Sequence, residues 1–167
     1  MLMGIDPLLS PELLSVMRAM GHGDDVLLCD RNHPAATIAK HTTHGRVIYI
    51  QGANLKDLST AVLAHFPLDT FVEAPITRML VVGEPEKMVQ AHHTMQAVAN
   101  KAAGKPVTMR AVERFAFYAE AKNAFAVVQT TDAGPYGCFL LKKGVLKRLV
   151  GLVYPHPISL PTRGREA

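Results

Sequence analysis

The chain has 167 residues, 49% of them hydrophobic and 19% charged, with a net charge of +4. That is enough apolar material for one domain with a real core and too little charge for a disordered chain. The basic residues are scattered apart from Lys142-Lys143 and the stretch Lys147-Arg148 to Arg165, and there is no Trp among four Tyr and six Phe. Neither a basic stripe nor an aromatic stacking platform is present, so no nucleic-acid partner is expected. No apolar run approaches the ~20 residues that cross a bilayer, and no leader pattern opens the sequence, so no membrane is expected and a cytoplasmic protein is. Cys29 and Cys138 read as reduced core thiols.

In chain order, Ser10-Pro11-Glu12 is a helix start: a capping hydroxyl, a proline at the first helical position, an acid facing the helix dipole. Leu13, Leu14, Met17 and Met20 follow at helical spacing, and Gly21 stops the helix. His22 to Asp25 make a tight turn, Val26 to Cys29 a short apolar strand, and Asp30 ends it. Residues 32–39 read as a loop and helical turn. Arg46 to Gln51 is the second strand, and Leu55 to Phe66 an amphipathic helix stopped by Pro67. Thr77 to Val82 is the third strand, after which Gly83-Glu84-Pro85 opens a long helix to about Ala103. Val107 to Val112 is a fourth strand, Glu113 to Ala124 a helix, and Phe125 to Thr130 and Tyr136 to Leu141 two late strands joined by a turn. The alternation predicts an α/β fold of three layers, α/β/α, on a mixed, mostly parallel sheet. Residues 1–145 form this domain; 146–167, with Pro155, Pro157 and Pro161, lose the rhythm and read as a C-terminal tail.

Familiar catalytic motifs are absent: no Walker loop, no dinucleotide-binding glycine pattern, no nucleophile elbow. His41 and His44 lack a third ligand, and adjacent His92 and His93 point apart on a helix, so no metal is expected. What remains are polar groups at strand ends and turns. His22 lies between two glycines and Asp30 at the carboxyl end of the same strand, where open α/β sheets bind ligands. Each also suits a plain capping role, as Arg114 suits a helix surface and Tyr136 a strand.

Three stretches settle a resemblance. Ser10-Pro-Glu-Leu-Leu14 with Met20-Gly-His-Gly-Asp24 and Asp30, Arg114-Phe-Ala-Phe-Tyr118 running on to Val128, and Tyr136-Gly-Cys-Phe-Leu-Leu-Lys-Lys-Gly144 resemble the ribose pyranase and fucose mutarotase family (RbsD/FucU). The middle stretch is similar to the fucose branch. The resemblance implies an isomerase that interconverts the anomers of L-fucose or a related monosaccharide, with D-ribose pyranase or a non-catalytic sugar-binding protein as alternatives. It implies no cofactor, His22 as catalytic acid/base, and Asp30, Arg114, Tyr136, Gly137 and Cys138 as substrate-binding residues. Cys138 stands where the family's Tyr-Gly-Asn motif has Asn. The family also implies a ring-shaped homo-oligomer, a decamer, with sites formed between subunits.

Overall fold

The computed structural model describes residues 2–146; the expected tail, beyond its first residue, lies outside the described residues. The elements in order are α1 (Pro11–Ala19), β1 (Asp25–Cys29), α2 (Ala35–Ala39), β2 (Val47–Ile50), α3 (Leu55–Leu63), β3 (Ile76–Met79), α4 (Gln90–Ala103), β4 (Met109–Val112), α5 (Arg114–Ala121), β5 (Ala126–Thr130) and β6 (Phe139–Lys142). They build one six-stranded sheet in the order β2-β5-β1-β6-β3-β4. β1 pairs parallel with β5, β5 with β2 and β3 with β4, while β6 runs antiparallel between β1 and β3. The sheet is mixed and mostly parallel, as expected.

β1 lies in the middle because it is apolar on both faces. Val26 and Leu28 pack into a core with α1, α3 and α4, and Leu27 and Cys29 into one with α2 and α5. All four are at most 1% exposed. Fully burying a Val or Leu side chain stabilises by about 1.5–3 kcal/mol, so this strand anchors both layers. The turn before it and the residue after it are therefore held at opposite ends of a rigid element.

Two expected elements differ. The long helix starts at Gln90, not at Gly83. Gly83 has a positive φ of 78°, and Pro85 disfavours helical backbone at Glu84. Fully buried helix positions only begin with His92 and Met95, so little would hold an earlier turn on the core. The two late strands are not a hairpin: β1 sits between β5 and β6, and β6 begins at Phe139 rather than Tyr136. Tyr136 instead has a φ of 60° and turns the chain into β6.

Candidate active site

Polar groups converge at the carboxyl end of β1. Asp30 is 3% exposed, and each of its carboxylate oxygens accepts one backbone N–H. The Asn32 N–H donates to Oδ1 at 2.8 Å and the Gly137 N–H to Oδ2 at 2.9 Å. A Cβ at position 137 would stand 3.3 Å from the Asp30 Cβ, so glycine permits the approach that ties the 134–138 loop to β1. Tyr136 accepts the Val82 N–H on its hydroxyl at 3.1 Å. Its left-handed backbone costs roughly 1–2 kcal/mol, the kind of strain that a folded site holds in place.

Cys138 Sγ lies 3.1 Å from His33 Nδ1 and 3.5 Å from Asp30 Oδ2. Burial, with the Asp30 charge behind it, pushes the thiol well above its ordinary value. Burial likewise pushes His33 down to about 4. A neutral thiol therefore faces a neutral imidazole, the opposite of the thiolate–imidazolium pair that a nucleophilic cysteine needs. Cys138 is a weak donor within this buried cluster.

Arg114 is the first residue of α5, behind Glu113, whose carboxylate accepts the Phe115 and Ala116 N–H groups as N-cap. Its guanidinium carbon stands 4.5 Å from the Phe115 ring centroid, and its buried Nε has no partner among the described residues. One turn on, the Tyr118 hydroxyl is pushed up by burial, then by Cys138, Asp30 and Tyr136, and eased by Arg114. The His33 ring stands edge-on to Tyr118, 5.4 Å between centroids.

His22 is elsewhere. Its turn is closed by the Gly21 N–H donating to Asp24 Oδ2 at 2.6 Å and by Gly23 at a φ of 87°. His22 Nε2 lies 3.2 Å from Asp69 Oδ2, with the His22 side chain 45% exposed. The Phe71 N–H donates to Asp69 Oδ1 at 2.9 Å. That bond first, and His22 and Lys142 after it, hold the Asp69 carboxyl below the usual carboxylate range against the opposing effect of burial. The exposed Phe71 ring stands edge-on to His22 at 5.4 Å. A cavity of about 590 Å³ opens beside Asp69 at this end.

The six residues marked by the sequence thus fall into two groups. Asp30, Tyr136, Gly137 and Cys138 gather at the carboxyl end of β1, and Arg114 follows β4 at the same edge of the sheet. His22 sits beyond the amino end, four residue steps of ~3.3 Å or about 13 Å away before side chains are counted. Asp30 does not orient His22; Asp69 does. Sequence reading missed Asp69, Phe71, His33 and Tyr118. His33, three residues after Asp30 in the same loop, and Tyr118, one turn after Arg114 on the same helix, had a local signal. Of the histidines first weighed as metal ligands, His44 faces Glu12 Oε1 at 2.9 Å. No helix among the described residues is long and apolar enough to cross a membrane.

The sequence pattern of the RbsD / FucU transport protein family matches residues 3–146. The chain belongs to this family. Among relatives, an L-fucose mutarotase of Glaesserella parasuis is 42% identical over 146 residues, covering 87% of this chain and 96% of its own length. A human fucose mutarotase is 42% identical over 147 residues, covering 87% and 94%. Among solved RbsD/FucU structures, the Streptococcus pneumoniae fucose mutarotase in complex with L-fucose superposes with a TM-score of 0.78 at 32% identity, covering 87% of this chain and all of that one. The family read from the three motifs is the family found, and the RbsD/FucU fold is the one expected.

Proposed function

We propose that the protein is a monosaccharide mutarotase acting on L-fucose or a closely related sugar, with its active site completed between neighbouring subunits of a ring. The observation that carries the reading is His22 seated on Asp69. With Nε2–H donating to the carboxylate, the neutral imidazole keeps its lone pair on Nδ1, directed away from Asp69. That is a general base in a fixed tautomer. It takes the anomeric hydroxyl proton while a water supplies one to the ring oxygen; the C1–O5 bond breaks, the aldehyde turns about C1–C2, and as the ring recloses on either face both proton transfers reverse. Proton transfer is all the reaction needs, so no cofactor enters.

The sugar-binding half, Asp30 with Arg114, Tyr136, Gly137 and Cys138, is at the far end of the same strand. A second copy presenting its His22 end to this half completes one site and repeats into a ring, a decamer by family likeness. Exposed Phe71 and Val72 at one end and Phe115 and Val82 at the other provide apolar surface for that contact. We place the protein in the cytoplasm, where its buried thiols stay reduced.

Saturation-transfer NMR on the two anomeric proton signals of L-fucose tests this. The protein accelerates exchange over buffer, and His22→Ala loses ~100- to 10,000-fold of that acceleration with its circular dichroism unchanged. No acceleration with L-fucose, D-ribose or a panel of hexoses sinks the reading. Faster exchange of ribose ring forms than of fucose anomers makes it a ribose pyranase instead. Calorimetric sugar binding without acceleration makes it a binding protein.

A further inference from the structure

His33, in the loop after β1, is 6% exposed and has no part in the proton transfer at His22. Its ring stands edge-on to Tyr118 at 5.4 Å and to Phe117 at 6.1 Å, both on α5. Its backbone is held independently of the ring. Gln129 Nε2 donates to the carbonyls of Asp30 at 3.1 Å and His33 at 3.3 Å, which ties the loop to β5. The ring is thus held with Nδ1 toward Cys138 Sγ, 3.1 Å away. The buried Nε2 has no hydrogen-bond partner among the described residues.

Two proton arrangements fit this geometry. Burial keeps both the imidazole and the thiol neutral, so the ring holds one proton and the sulfur one. If the S–H donates to Nδ1, the ring proton sits on Nε2, a buried donor with nothing to meet, and only one bond forms. If the ring proton sits on Nδ1, it donates to Sγ, and the S–H is free to donate to Asp30 Oδ2 at 3.5 Å. The second arrangement makes two bonds in place of one, ends on a carboxylate, and leaves Nε2 a bare lone pair instead of a stranded N–H. Each bond in such a chain polarises the next. A thiol is a weak donor by itself, and accepting from His33 makes it a better one.

We propose that His33 is a positioning residue for the sugar: it donates from Nδ1 to Cys138, Cys138 donates to Asp30, and this chain fixes the carboxylate that receives a sugar hydroxyl. A carboxylate offers about four acceptor positions. The Asn32 N–H, the Gly137 N–H and the Cys138 S–H take three, so Asp30 keeps one, in a direction set from behind. This rests on the reading of Asp30 as a sugar-binding residue. His33 touches no substrate, and its loss is felt in sugar binding and not in the proton transfer that His22 carries out.

The ring 15N shifts of His33 report its tautomer with no sugar present. They are expected to show Nδ1 protonated and Nε2 bare; a proton on Nε2 overturns the proposal. So does a Cys138 S–H infrared band, identified by its loss in Cys138→Ala, that keeps its frequency in Asp30→Asn. In L-fucose exchange, His33→Phe keeps an aromatic ring and removes the donor. It is expected to raise KM roughly 3- to 10-fold, the loss of one hydrogen bond, with kcat changed less than about twofold. His33→Asn, whose amide nitrogen stands near the place of Nδ1, recovers most of the loss, and His33→Gln, whose amide reaches toward Nε2, does not. Cys138→Ala raises KM by a similar factor, and adding His33→Phe to it raises KM no further, because both act through one chain. An unchanged KM in His33→Phe, a loss confined to kcat, or effects that multiply in the double variant overturn the proposal. If no sugar exchanges faster than in buffer, the mutarotase reading fails by itself, and the same ratios are read as L-fucose dissociation constants by calorimetry. L-fucose heat that His33→Phe leaves unchanged overturns the positioning role, as does no heat at all. The tautomer of the natural protein decides where a variant fails to fold.

Discussion

Tyr136 is a bulky residue in a backbone conformation that suits glycine, and three contacts keep it there. The Val82 N–H donates to its hydroxyl, the neighbouring Gly137 N–H donates to Asp30, and the His92 ring packs against it. Strain that the surroundings enforce should appear in stability. Ordinarily Gly is worse than Ala by ~0.5–1 kcal/mol, but at a φ of 60° the Cβ is the liability. Tyr136→Gly is therefore expected to be more stable than Tyr136→Ala by about 1 kcal/mol in urea unfolding, with sugar exchange lost in both. If Ala proves the more stable, the left-handed turn is not an enforced one. Residue identity made Tyr136 and Gly137 legible in the sequence, through the Tyr-Gly pair. The positive φ was not, because nothing short of the Asp30 contact requires it.

At the scale of elements, the His22 end depends on a clamp from the far end of the chain. After β6, Lys143 donates from Nζ to the carbonyls of Met17 and Met20 at 2.6 Å each, satisfying the last turn of α1. Its N–H donates to the Asp24 carbonyl, and its own carbonyl accepts the Gly23 N–H, both at 2.8 Å. The turn that carries His22 is thus fixed by β6 as much as by its own glycines. Lys143→Met keeps the hydrocarbon stem and removes the donors. It is expected to cost ~1–3 kcal/mol of stability, from the carbonyls left unmet, and to slow exchange without touching substrate; an unchanged urea midpoint contradicts it. The helix and strand cores were readable because their causes are local: the Ser10 cap, the spacing of Leu13 and Met17, the unbroken run of β1. Pairing order was not, since β6 inserts between β1 and β3 through contacts more than sixty residues apart, and adjacency in sequence suggested a hairpin with β5. The same distance hid Asp69, whose meeting with His22 depends on its N–H bonding the Lys142 carbonyl.

For the whole molecule, the two layers each bury one histidine, and that sets its response to acid. His33 is 6% exposed in the core under α2 and α5; His92 is fully buried under α4. Both are held down at about 4, burial being the first cause in each case. The unfolded chain binds these protons near pH ~6.5, the folded one only near 4, so between those values the unfolded state carries more protons. Stability contributed this way is complete above 6.5 and is lost as the pH falls toward 4; below that the effect levels off. Glu12 and Asp69, held below the usual carboxylate range, act in the same sense but only at lower pH. From pH 7 to 5 each buried histidine is expected to remove roughly 2 kcal/mol. Urea midpoints measured across that range should fall steeply for the natural protein and about half as much for His33→Phe, which replaces a titrating ring by an apolar one of similar shape. Equal slopes in the two proteins would mean that His33 takes up its proton without opening the core. His92→Phe separates the two layers by the same comparison.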